Sequence, residues 1–473
     1  MEDPREPHVL ILPFPAQGHT KPMLCLAKLL ASAGVRVTFL STHHNRCSPS
    51  SSPSPLLRFV SISDGLPDDH PRSLELIGEF LLSIKTAMKA RLREFLLSES
   101  AEPPLTCVIA DGIMSIGIDV AEELGVLAIS FRTFSACCLW TFFCVPTFIH
   151  EGKLPFPDDD LDKEFHGLPG AEGLLRRRDL PSMCRSQIES NPYRYFLDET
   201  TTMTRASALI LNTFDTLEGP MLSRLTTIFA NVYAIGPLHA LAAESDIGHS
   251  SGRTAFVGSL RIEDRSCMTW LDSQASRSVV YVSFGSLAKI TIDQLMELRH
   301  GLVDGGRPFL WVLREDAILG ENEETVKSLL SELKVPSERR CVVNWAPQEE
   351  VLAHPAVGGF LSHGGWNSTL ESIAAGIPMI CWPHTGDQQI NSRWVSEVWK
   401  IGLDMKDTCD RSTVETMVRT LMEDKNEEIM KSMARISALS SASVVSEGSS
   451  SKNLGRLIEN LRKIGRTSRA ISR

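Results

Sequence analysis

Two residues in the first third of the chain, a histidine and an aspartate, have side chains that can move a proton. His19 follows the apolar run Val9–Pro13, and Asp111 follows the apolar run Thr106–Ala110. An imidazole accepts a proton near neutral pH, and a carboxylate at its other ring nitrogen would hold the tautomer and stabilise the imidazolium. If the fold brings them together, the pair predicts a general base. The alternative is that each side chain only caps the helix that follows it.

Two turns in the C-terminal half are suited to an anionic group such as a diphosphate. The turn Ser283–Ser286 follows an apolar run, and the stretch His363–Thr369 reads His-Gly-Gly-Trp-Asn-Ser-Thr between an apolar run and an amphipathic one. Glycines let the backbone approach a ligand, and the N–H groups at a helix N-terminus favour negative charge. Asn367 and Ser368 are typical of a first helical turn, and His363 could add a hydrogen-bond donor.

Further polar and aromatic side chains nearby suit the rest of a nucleotide sugar. Glu371 lies one turn into the predicted helix, where it could accept hydrogen bonds from ribose hydroxyls. Asp387 and Gln388 offer acceptors and donors for a sugar ring, and the face of Trp345 could stack on a base. For each of them a structural role is the alternative: a capped turn, a solvated carboxylate or a packed indole.

Alternating apolar and amphipathic segments predict the elements that must position these residues. This alternation is typical of a parallel sheet covered on both faces. In the strand order 3-2-1-4, the first and fourth strands flank the switch point at which such sheets bind ligands, so His19 and Asp111 would meet there. The predicted strands are Val9–Pro13, Val35–Leu40, Arg58–Ile62, Thr106–Ala110, Ala208–Asn212 and Val232–Ile235, and the predicted helices are Gly18–Ala33, Arg72–Leu97 and Met114–Leu124.

The composition changes over 237–263, a segment rich in Gly, Ser and Ala that we interpret as a linker. A second alternating series follows it, and we therefore predict an α/β protein of two doubly wound domains, 1–236 and 264–450, with a C-terminal helix and tail over 451–473. The strands predicted in the second series are Ser278–Phe284, Pro308–Leu313, Arg340–Val343, Gly358–Ser362 and Pro378–Cys381, and the helices are Thr291–Asp304 and Asn367–Ala375.

Composition and charge disfavour several classes of function. The 473 residues carry a net charge of −10, which argues against a nucleic-acid partner. The eleven cysteines are scattered without a CxxC pair, so we expect reduced thiols, a cytoplasmic location and no metal site. The apolar run Thr133–Ile149 contains Pro146 and is too short to span a bilayer, so we expect no stable membrane insertion. Gly18 is the only glycine of the first turn, which disfavours a dinucleotide-binding dehydrogenase or epimerase.

Taken together, the motifs of the C-terminal half resemble the signature box of plant family-1 UDP-glycosyltransferases. The 44 residues Trp345–Gln388 read WAPQEEVLAHPAVGGFLSHGGWNSTLESIAAGIPMICWPHTGDQ, with the family's spacing of W-A-P-Q, H-x-G-W-N-S, E, G-x-P and D-Q. The N-terminal PFPAQGHTKP and the turn VSFGS also match, and the resemblance covers nearly the whole chain. It implies the GT-B fold, in which two Rossmann-like domains face each other across a cleft, the first binding the acceptor and the second the UDP-sugar.

The resemblance also implies roles for individual residues. His19 matches the family's catalytic base and Asp111 its orienting partner. Trp345 would stack on uracil, Gln348 would contact the ribose, and Gln388 at the end of the box is typical of glucose-using members. UDP-glucose and a small acceptor are the implied partners, without cofactor or metal, and a monomer is the family default. The implied UDP-sugar-binding residues are Ser286, Trp345, Ala346, Gln348, His363, Trp366, Asn367, Ser368, Glu371, Asp387 and Gln388.

The chain departs from the family pattern in two places. Gly364 stands where the family usually has Cys, a residue without a catalytic role, so activity is not in doubt there. Thr20 and Lys21 follow His19 where apolar residues and Asn are frequent; Lys21 could contact an anionic acceptor or simply be solvated.

Segments outside the box bear on the acceptor. Asp387–Arg411 resembles the group that includes iridoid glucosyltransferases, and Glu172–Arg177 with Ile235–Leu238 resembles cucurbit triterpenoid glucosyltransferases. The aromatic stretch Phe131–Phe148 could line an acceptor pocket or pack in the core. We predict an inverting enzyme that moves glucose from UDP-glucose to a hydroxyl or carboxyl of a terpenoid, giving a β-glucoside. A flavonoid or other phenolic acceptor, and a non-catalytic UDP-sugar-binding protein, are the alternatives.

Overall fold

The apolar segments form two parallel sheets, each in its own structural unit. The computed structural model describes residues 6–46, 54–98, 104–156, 160–185, 191–247, 261–319, 323–335, 337–423 and 427–471. The N-terminal unit contains the described residues of Met1–Pro155, Ser186–Leu260 and Ser441–Arg473. The C-terminal unit contains those of Phe156–Arg185 and Arg261–Ser440.

Strands and helices alternate along most of the described chain. The strands are β1 (His8–Leu12), β2 (Arg36–Thr42), β3 (Leu57–Ile62), β4 (Cys107–Asp111), β5 (Leu127–Arg132), β6 (Glu164–Phe165), β7 (Leu175–Arg176), β8 (Leu209–Leu211), β9 (Val232–Ala234), β10 (Val279–Ser283), β11 (Ile290–Thr291), β12 (Phe309–Val312), β13 (Ile318–Leu319), β14 (Arg340–Val343), β15 (Val357–Ser362), β16 (Met379–Cys381) and β17 (Gly402–Asp404). The α-helices are α1 (Gln17–Ser32), α2 (Ile77–Ser83), α3 (Lys89–Ser98), α4 (Ser115–Glu123), α5 (Ala136–His150), α6 (Asn191–Thr202), α7 (Asp215–Leu225), α8 (Leu238–Ile247), α9 (Ser266–Asp272), α10 (Ile292–Asp304), α11 (Glu323–Leu333), α12 (Gln348–Leu352), α13 (Trp366–Ala375), α14 (Gln388–Arg393), α15 (Arg411–Met422), α16 (Glu427–Val444) and α17 (Ser449–Ile471).

The sheet of the N-terminal unit is parallel, with the strand order β3-β2-β1-β4-β5-β8-β9 among the described residues. Every residue of β1 and β4 is buried, because helices cover both faces. On one face, Val9 and Ile11 belong to a core with residues of α1 and α17. On the other face, Gly117 of α4 lies so close to Leu12 and Ala110 that a Cβ there would be 2.7 Å from the Cβ of Ala110. The order 3-2-1-4, on which the meeting of His19 and Asp111 depends, is present in this sheet, so the ends of β1 and β4 lie side by side.

The sheet of the C-terminal unit is also parallel, with the order β14-β12-β10-β15-β16-β17. Val280 and Val282 of β10 belong to a core with residues of α10 and α15. The helix α10 begins where Thr291 and Gln294 form a capping box, each side chain bonding the other's backbone N–H. This strand order reverses between β10 and β15, which places the turns after those strands at the switch point.

Three features of the chain differ from the predicted organisation. The helix predicted from Arg72 begins instead at Ile77, because Arg72 has a positive φ of 47° and its guanidinium binds both oxygens of Asp64. A π-helical turn, Ile84–Met88, then separates α2 from α3. The predicted linker 237–263 begins with the helix α8, and its residues 248–260 lie outside the described part of the chain.

The segment that follows α5 in sequence, Phe156–Arg185, groups with the C-terminal unit rather than with the N-terminal unit. The apolar run Thr133–Ile149 is largely the helix α5, which contains Pro146. Among the described residues, no helix combines the length and the apolar character that crossing a membrane requires.

Candidate functional site

The histidine and the aspartate predicted to act together form a hydrogen-bonded pair in the N-terminal unit. Nδ1 of His19 lies 2.8 Å from Oδ2 of Asp111. The His19 side chain is 14% exposed and the Asp111 side chain 0% exposed, so the carboxylate is shielded while the imidazole remains accessible. The other carboxylate oxygen of Asp111 accepts from the backbone N–H of Ile113 at 3.1 Å. With Nδ1 facing Asp111, Nε2 of His19 is the nitrogen that could accept a proton from a substrate.

Parallel strands bring the pair together. His19 lies in the first turn of α1, just after β1, and Asp111 is the last residue of β4, which pairs with β1. Because carboxyl ends of parallel strands meet at one edge of a sheet, a residue after β1 and one at the end of β4 become neighbours.

Sequence analysis missed a third polar member of this group. Thr133 follows β5, the strand beside β4, and its Oγ1 lies 2.9 Å from Nδ1 of His19. The strand β5 was not predicted, although its sequence Leu-Ala-Ile-Ser-Phe-Arg is an apolar, β-rich run. Recognising that run as a strand would have placed Thr133 at the same sheet edge as Asp111.

Aromatic rings surround the imidazole. The rings of Phe14 and Phe134 lie 5.1 Å and 5.8 Å from the His19 ring, centroid to centroid. Phe80 lies 5.6 Å from Phe14, and Phe142 lies 6.3 Å from Phe134. The polar His19–Asp111–Thr133 group is therefore set in an apolar environment, which suits a lipophilic substrate.

The aromatic residues of the stretch Phe131–Phe148 are divided between buried and half-buried positions. The side chains of Phe131, Phe142 and Phe148 are buried. Within the stretch, Phe134 is the aromatic residue in ring contact with His19, whereas the half-buried Phe143 contacts Phe229. Phe134, the ring beside His19, precedes the helix α5.

The C-terminal unit joins four residues from three elements into a polar network. Nε2 of Gln348 donates to Oε2 of Glu371 at 2.6 Å and to Oγ of Ser368 at 3.0 Å. The hydroxyl of Tyr281 donates to Oε1 of Gln348 at 3.2 Å. The predicted ribose contacts Gln348 and Glu371 are thus adjacent, and Tyr281, a buried residue of β10, is a partner that the sequence did not reveal.

Trp345 and Ala346 lie in the turn that precedes α12. The indole of Trp345 is half-buried, and its backbone oxygen accepts from the N–H of Asp264 at 2.8 Å. The guanidinium of Arg261 lies 5.5 Å from the centre of the indole ring. Ala346 is buried, so its side chain helps to fix the turn that presents Trp345.

His363 packs between the two glycine-containing turns predicted to hold a diphosphate. A Cβ on Gly285 would lie 2.8 Å from Nε2 of His363, and a Cβ on Gly365 would collide with the same atom, so glycine is required at both positions. Burial, with a smaller effect of His384, lowers the pKa of His363 from 6.5 to about 3. The imidazole is therefore neutral at physiological pH and offers one ring N–H.

The other residues predicted to bind the diphosphate lie at the same sheet edge. Ser286 follows β10, and Asn367 and Ser368 are in the first turn of α13. Trp366, which the resemblance places among the UDP-sugar-binding residues, has an indole that is 3% exposed and lies 6.1 Å from the ring of Trp399. Its indole packs in the core, so a ligand would meet the backbone of Trp366 rather than its side chain.

The two residues at the end of the signature box are held by their neighbours. Oδ2 of Asp387 accepts from Nδ2 of Asn391 at 2.7 Å, and the same nitrogen donates to the backbone oxygen of Gly364 at 3.0 Å. Oε1 of Gln388 accepts from the backbone N–H groups of His384 at 2.8 Å and Thr385 at 3.1 Å. Gly364 has a φ of 74°, a conformation that glycine adopts without strain, so its presence in place of the usual Cys suits this turn.

Comparison with known proteins identifies relatives of the chain. Residues 197–439 match the family model described as UDP-glucoronosyl and UDP-glucosyl transferase. The chain is 45% identical to the 7-deoxyloganetic acid glucosyltransferase of Catharanthus roseus, over 97% of this chain and 98% of that protein. It is 46% identical to the mogroside I-A1 synthase of Siraitia grosvenorii, over 93% and 86%. It is 44% identical to a myricetin 3-O-rhamnoside 1,2-glucosyltransferase of Crocosmia x crocosmiiflora, over 97% and 96%.

Solved structures agree with these sequence relationships. The crystal structure of Os79 from O. sativa in complex with UDP superposes with a TM-score of 0.81 at 30% identity, and covers 96% of this chain and 100% of that one. The two doubly wound sheets described above are the two Rossmann-like domains of the GT-B fold, as the sequence predicted.

Proposed function

Because the chain belongs to the UDP-glycosyltransferase family of plants, we propose that it transfers glucose from UDP-glucose to a small lipophilic plant metabolite with inversion, giving a β-glucoside. The family model and the relatives named as glucosyltransferases make the chain a UDP-glucosyltransferase. The proposal concerns the residues that carry the reaction, the division of substrates between the units, and the acceptor.

The observation that carries the mechanism is the 2.8 Å contact between Nδ1 of His19 and Oδ2 of Asp111. In the proposed reaction, Nε2 of His19 takes the proton of the acceptor hydroxyl while the acceptor oxygen attacks the anomeric carbon of glucose. The new carbon–oxygen bond forms as the bond from that carbon to the diphosphate oxygen breaks, and UDP leaves with the electron pair. Asp111 stabilises the imidazolium that results. Attack opposite to the leaving group inverts the anomeric configuration, through an oxocarbenium-like transition state.

We assign the donor to the C-terminal unit and the acceptor to the N-terminal unit. The half-buried face of Trp345 suits uracil, and the adjoining Gln348 and Glu371 suit the ribose hydroxyls. Backbone N–H groups of the turns at Ser286 and Asn367, together with neutral His363, suit the diphosphate and its growing charge. Asp387, Gln388 and the backbone of Trp366 suit the sugar.

For the acceptor, we propose a terpenoid alcohol or acid. Two relatives at 45–46% identity are named for 7-deoxyloganetic acid and for a mogroside. The aromatic rings around His19 also favour a lipophilic molecule. A phenolic acceptor is the second candidate, because a relative at 44% identity is named for a myricetin rhamnoside.

The test is UDP release from UDP-glucose in the presence of terpenoid alcohols, terpenoid acids and flavonols, with mass spectrometry and NMR of the products. A terpenoid product heavier by one hexose less one water, with a β-anomeric proton, supports the proposal. Transfer to flavonols alone supports the second candidate. UDP binding without transfer to any acceptor class contradicts both, and favours a UDP-sugar-binding protein.

We also propose that the enzyme works as a monomer in the reducing cytoplasm. Burial raises the pKa of several thiols, among them Cys107 and Cys184 to about 12, so these side chains behave as packed apolar groups rather than as reactive thiolates. A fluorescent fusion tests the location, and light scattering of the purified protein tests the monomeric state.

A further inference from the structure

The segment 160–185 stands in sequence between helices of the N-terminal unit, but it groups with the C-terminal unit. Within it, β6 and β7 form a small antiparallel pair, and Arg176 is the last residue of β7. The guanidinium of Arg176 binds Asp179 through two bonds, Nη2 to Oδ1 at 2.6 Å and Nε to Oδ2 at 2.9 Å. Bidentate pairs of this kind hold both side chains in one geometry.

The Arg176–Asp179 pair is connected to the parallel sheet of the C-terminal unit by Asp404, the last residue of β17. Oδ2 of Asp404 lies 3.3 Å from Nη2 of Arg176. Oδ1 of Asp404 accepts from Oγ of Ser392 at 2.8 Å and from the backbone N–H of Lys406 at 2.8 Å. Asp404 therefore joins Arg176 to the helix α14, which carries Ser392.

A second link joins segment 160–185 to α14. Nε of Arg393, the last residue of α14, donates to the backbone oxygen of Leu174 at 2.7 Å and lies 3.4 Å from Oδ2 of Asp179. The helix thus has its C-terminal end held by Asp404 and Asp179. Its first residue is Gln388, and Asp387 precedes it.

Arg176, Asp179, Arg393 and Asp404 form a four-residue cluster of charged side chains. Because these side chains are largely buried, we expect the cluster to be sensitive to the loss of any one charge. The exposed fractions of the side chains are 3% for Asp179, 10% for Asp404, 12% for Arg176 and 18% for Arg393. Two carboxylates face two guanidinium groups within the cluster, and the exposed Asp162 and Glu397 add outer partners to Arg176 at 3.7 Å and to Arg393 at 3.2 Å. Removing one of the four inner members would leave a largely buried charge with fewer partners, which is the costly way to break an ion pair.

The cluster is too tightly packed to be a binding site of its own. A cavity beside it, lined by Asp179, Asp404 and Gln389 among others, has a volume of about 10 Å³. That is room for about one water molecule. The cluster can therefore influence a sugar only through the elements that it holds.

We propose that Arg176 and Asp179 are positioning residues for the glucose half of the donor. They hold α14 so that Asp387 and Gln388 at its N-terminal end face the sugar, and donor preference thus depends on a segment far outside the signature box. The inference rests on the proposed sugar-contacting role of Asp387 and Gln388. It does not involve the uridine contacts, because Trp345, Gln348 and Glu371 are held by other elements.

The test compares the sugar-bearing and sugar-free nucleotides in Arg176→Met and Asp179→Asn. We expect the KM for UDP-glucose to rise about tenfold, while the inhibition constant of UDP, which lacks the sugar, changes less than about twofold; tenfold corresponds to 1.4 kcal/mol. The ratio of kcat/KM for UDP-glucose over UDP-galactose should fall in both variants. A structural defect alone would weaken UDP and UDP-glucose equally and would not change this ratio.

The matched control is Arg177→Met, because Arg177 is the next residue and its guanidinium pairs with Asp160 at 2.6 Å, outside the four-residue cluster. It should leave both constants unchanged. If Arg176→Met folds poorly, Ser392→Ala removes the 2.8 Å bond to Asp404 without unpairing a buried charge, and it should raise the KM for UDP-glucose in the same direction.

Equal losses for UDP and UDP-glucose, or an unchanged KM in all three variants of the cluster, would overturn the inference. The proposed function is tested separately by the wild-type enzyme. If the wild type transfers glucose and the variants have the same KM for UDP-glucose as the wild type, only the positioning role of Arg176 and Asp179 fails. If the wild type transfers no glucose, the proposed function fails instead.

Discussion

Nδ1 of His19 lies 2.8 Å from Oδ2 of Asp111, although 92 positions separate the two residues in the chain. The neighbouring strands β1 and β4 create this contact, and Asp111 occupies Nδ1 of the imidazole, so that Nε2 is the nitrogen left for a substrate. The geometry therefore defines which nitrogen of His19 can act on an acceptor. It also makes the role of each residue separately testable.

Replacing His19 by alanine should abolish transfer to hydroxyl acceptors and spare UDP binding. General-base catalysis contributes about 10²–10⁴-fold to a rate, so kcat should fall by at least that factor. UDP is assigned to the other unit, so its dissociation constant, measured by calorimetry, should be unchanged. Asp111→Asn should lower kcat similarly, and the double variant should be little worse than either single variant.

The size of the His19→Ala effect should depend on the acceptor. A carboxylic acid is already ionised at pH 7 and needs no base to remove a proton, so its glucosylation should be much less affected. Parallel assays with a terpenoid alcohol and a terpenoid acid measure this difference. A loss of UDP affinity equal to the loss of kcat would contradict the assignment of His19 as the base.

Tyr281→Phe should weaken UDP binding without disturbing the fold. The variant keeps the ring stack on Phe360, at 4.9 Å between centroids, but loses the hydroxyl that donates to Oε1 of Gln348. A hydrogen bond of this kind contributes about 1 kcal/mol, so we expect the dissociation constant of UDP to rise about fivefold. Tyr233→Phe, at a buried tyrosine of the N-terminal unit, is the control and should leave UDP binding unchanged. Equal UDP affinity in the wild type and Tyr281→Phe would remove Tyr281 from the nucleotide network.

Gln388→His should erode the preference for UDP-glucose. The amide oxygen of Gln388 accepts from the backbone N–H groups of His384 and Thr385, and an imidazole cannot reproduce both bonds with the same side-chain length. We expect the ratio of kcat/KM for UDP-glucose over UDP-galactose to fall about tenfold, within the usual effect of a lost polar contact. Gln274→His, at a residue bonded to the backbone of Glu338, is a control that should leave the ratio alone. Unchanged donor selectivity in Gln388→His would take this residue out of the sugar site.

The half-buried imidazole of His363 should make the folded protein less stable in mild acid. Its pKa is lowered from 6.5 to about 3. Between these values the unfolded chain binds more protons than the folded chain, so the free energy of unfolding rises with pH. The contribution is complete above pH 6.5 and is lost as the pH falls towards about 3.

Denaturant unfolding of the wild type and of His363→Gln from pH 7 to pH 4 measures this effect. The variant should show a shallower loss of stability on acidification, because it lacks the group that gains a proton on unfolding. His150→Gln, at an exposed histidine that ends α5, serves as the control and should keep the wild-type pH dependence. Identical pH profiles for all three proteins would refute the prediction.

The sequence was most informative where function is encoded by neighbouring residues. The turns at Ser286 and His363 contain the glycines that close packing requires, and the strand before each turn is an uninterrupted apolar run. Local patterns of this kind predict a strand, a turn and a helix in order, because each depends on residues a few positions apart. The alternation predicted a parallel sheet, and the strand order 3-2-1-4, which the sequence analysis only assumed, is the order that the sheet has.

It was least informative where a contact depends on which strands become neighbours. Thr133 is unremarkable in sequence and joins His19 only because β5 lies beside β4. The fold also buries the indole of Trp366 against Trp399, and the motif alone does not show which side chains of the signature box are buried.

By itself, the sequence determined the α/β class, the family, the alternation of elements and the residue types at both strand edges, since periodicity and motif spacing are local properties of the chain. The tertiary structure decided which of those residues touch. It paired His19 with Asp111 and Thr133, joined Gln348 to Tyr281, and placed segment 160–185 with the C-terminal unit. These contacts arise from strand pairing between distant parts of the chain and from the burial of opposite charges. Neither of these causes produces a periodic pattern in the sequence.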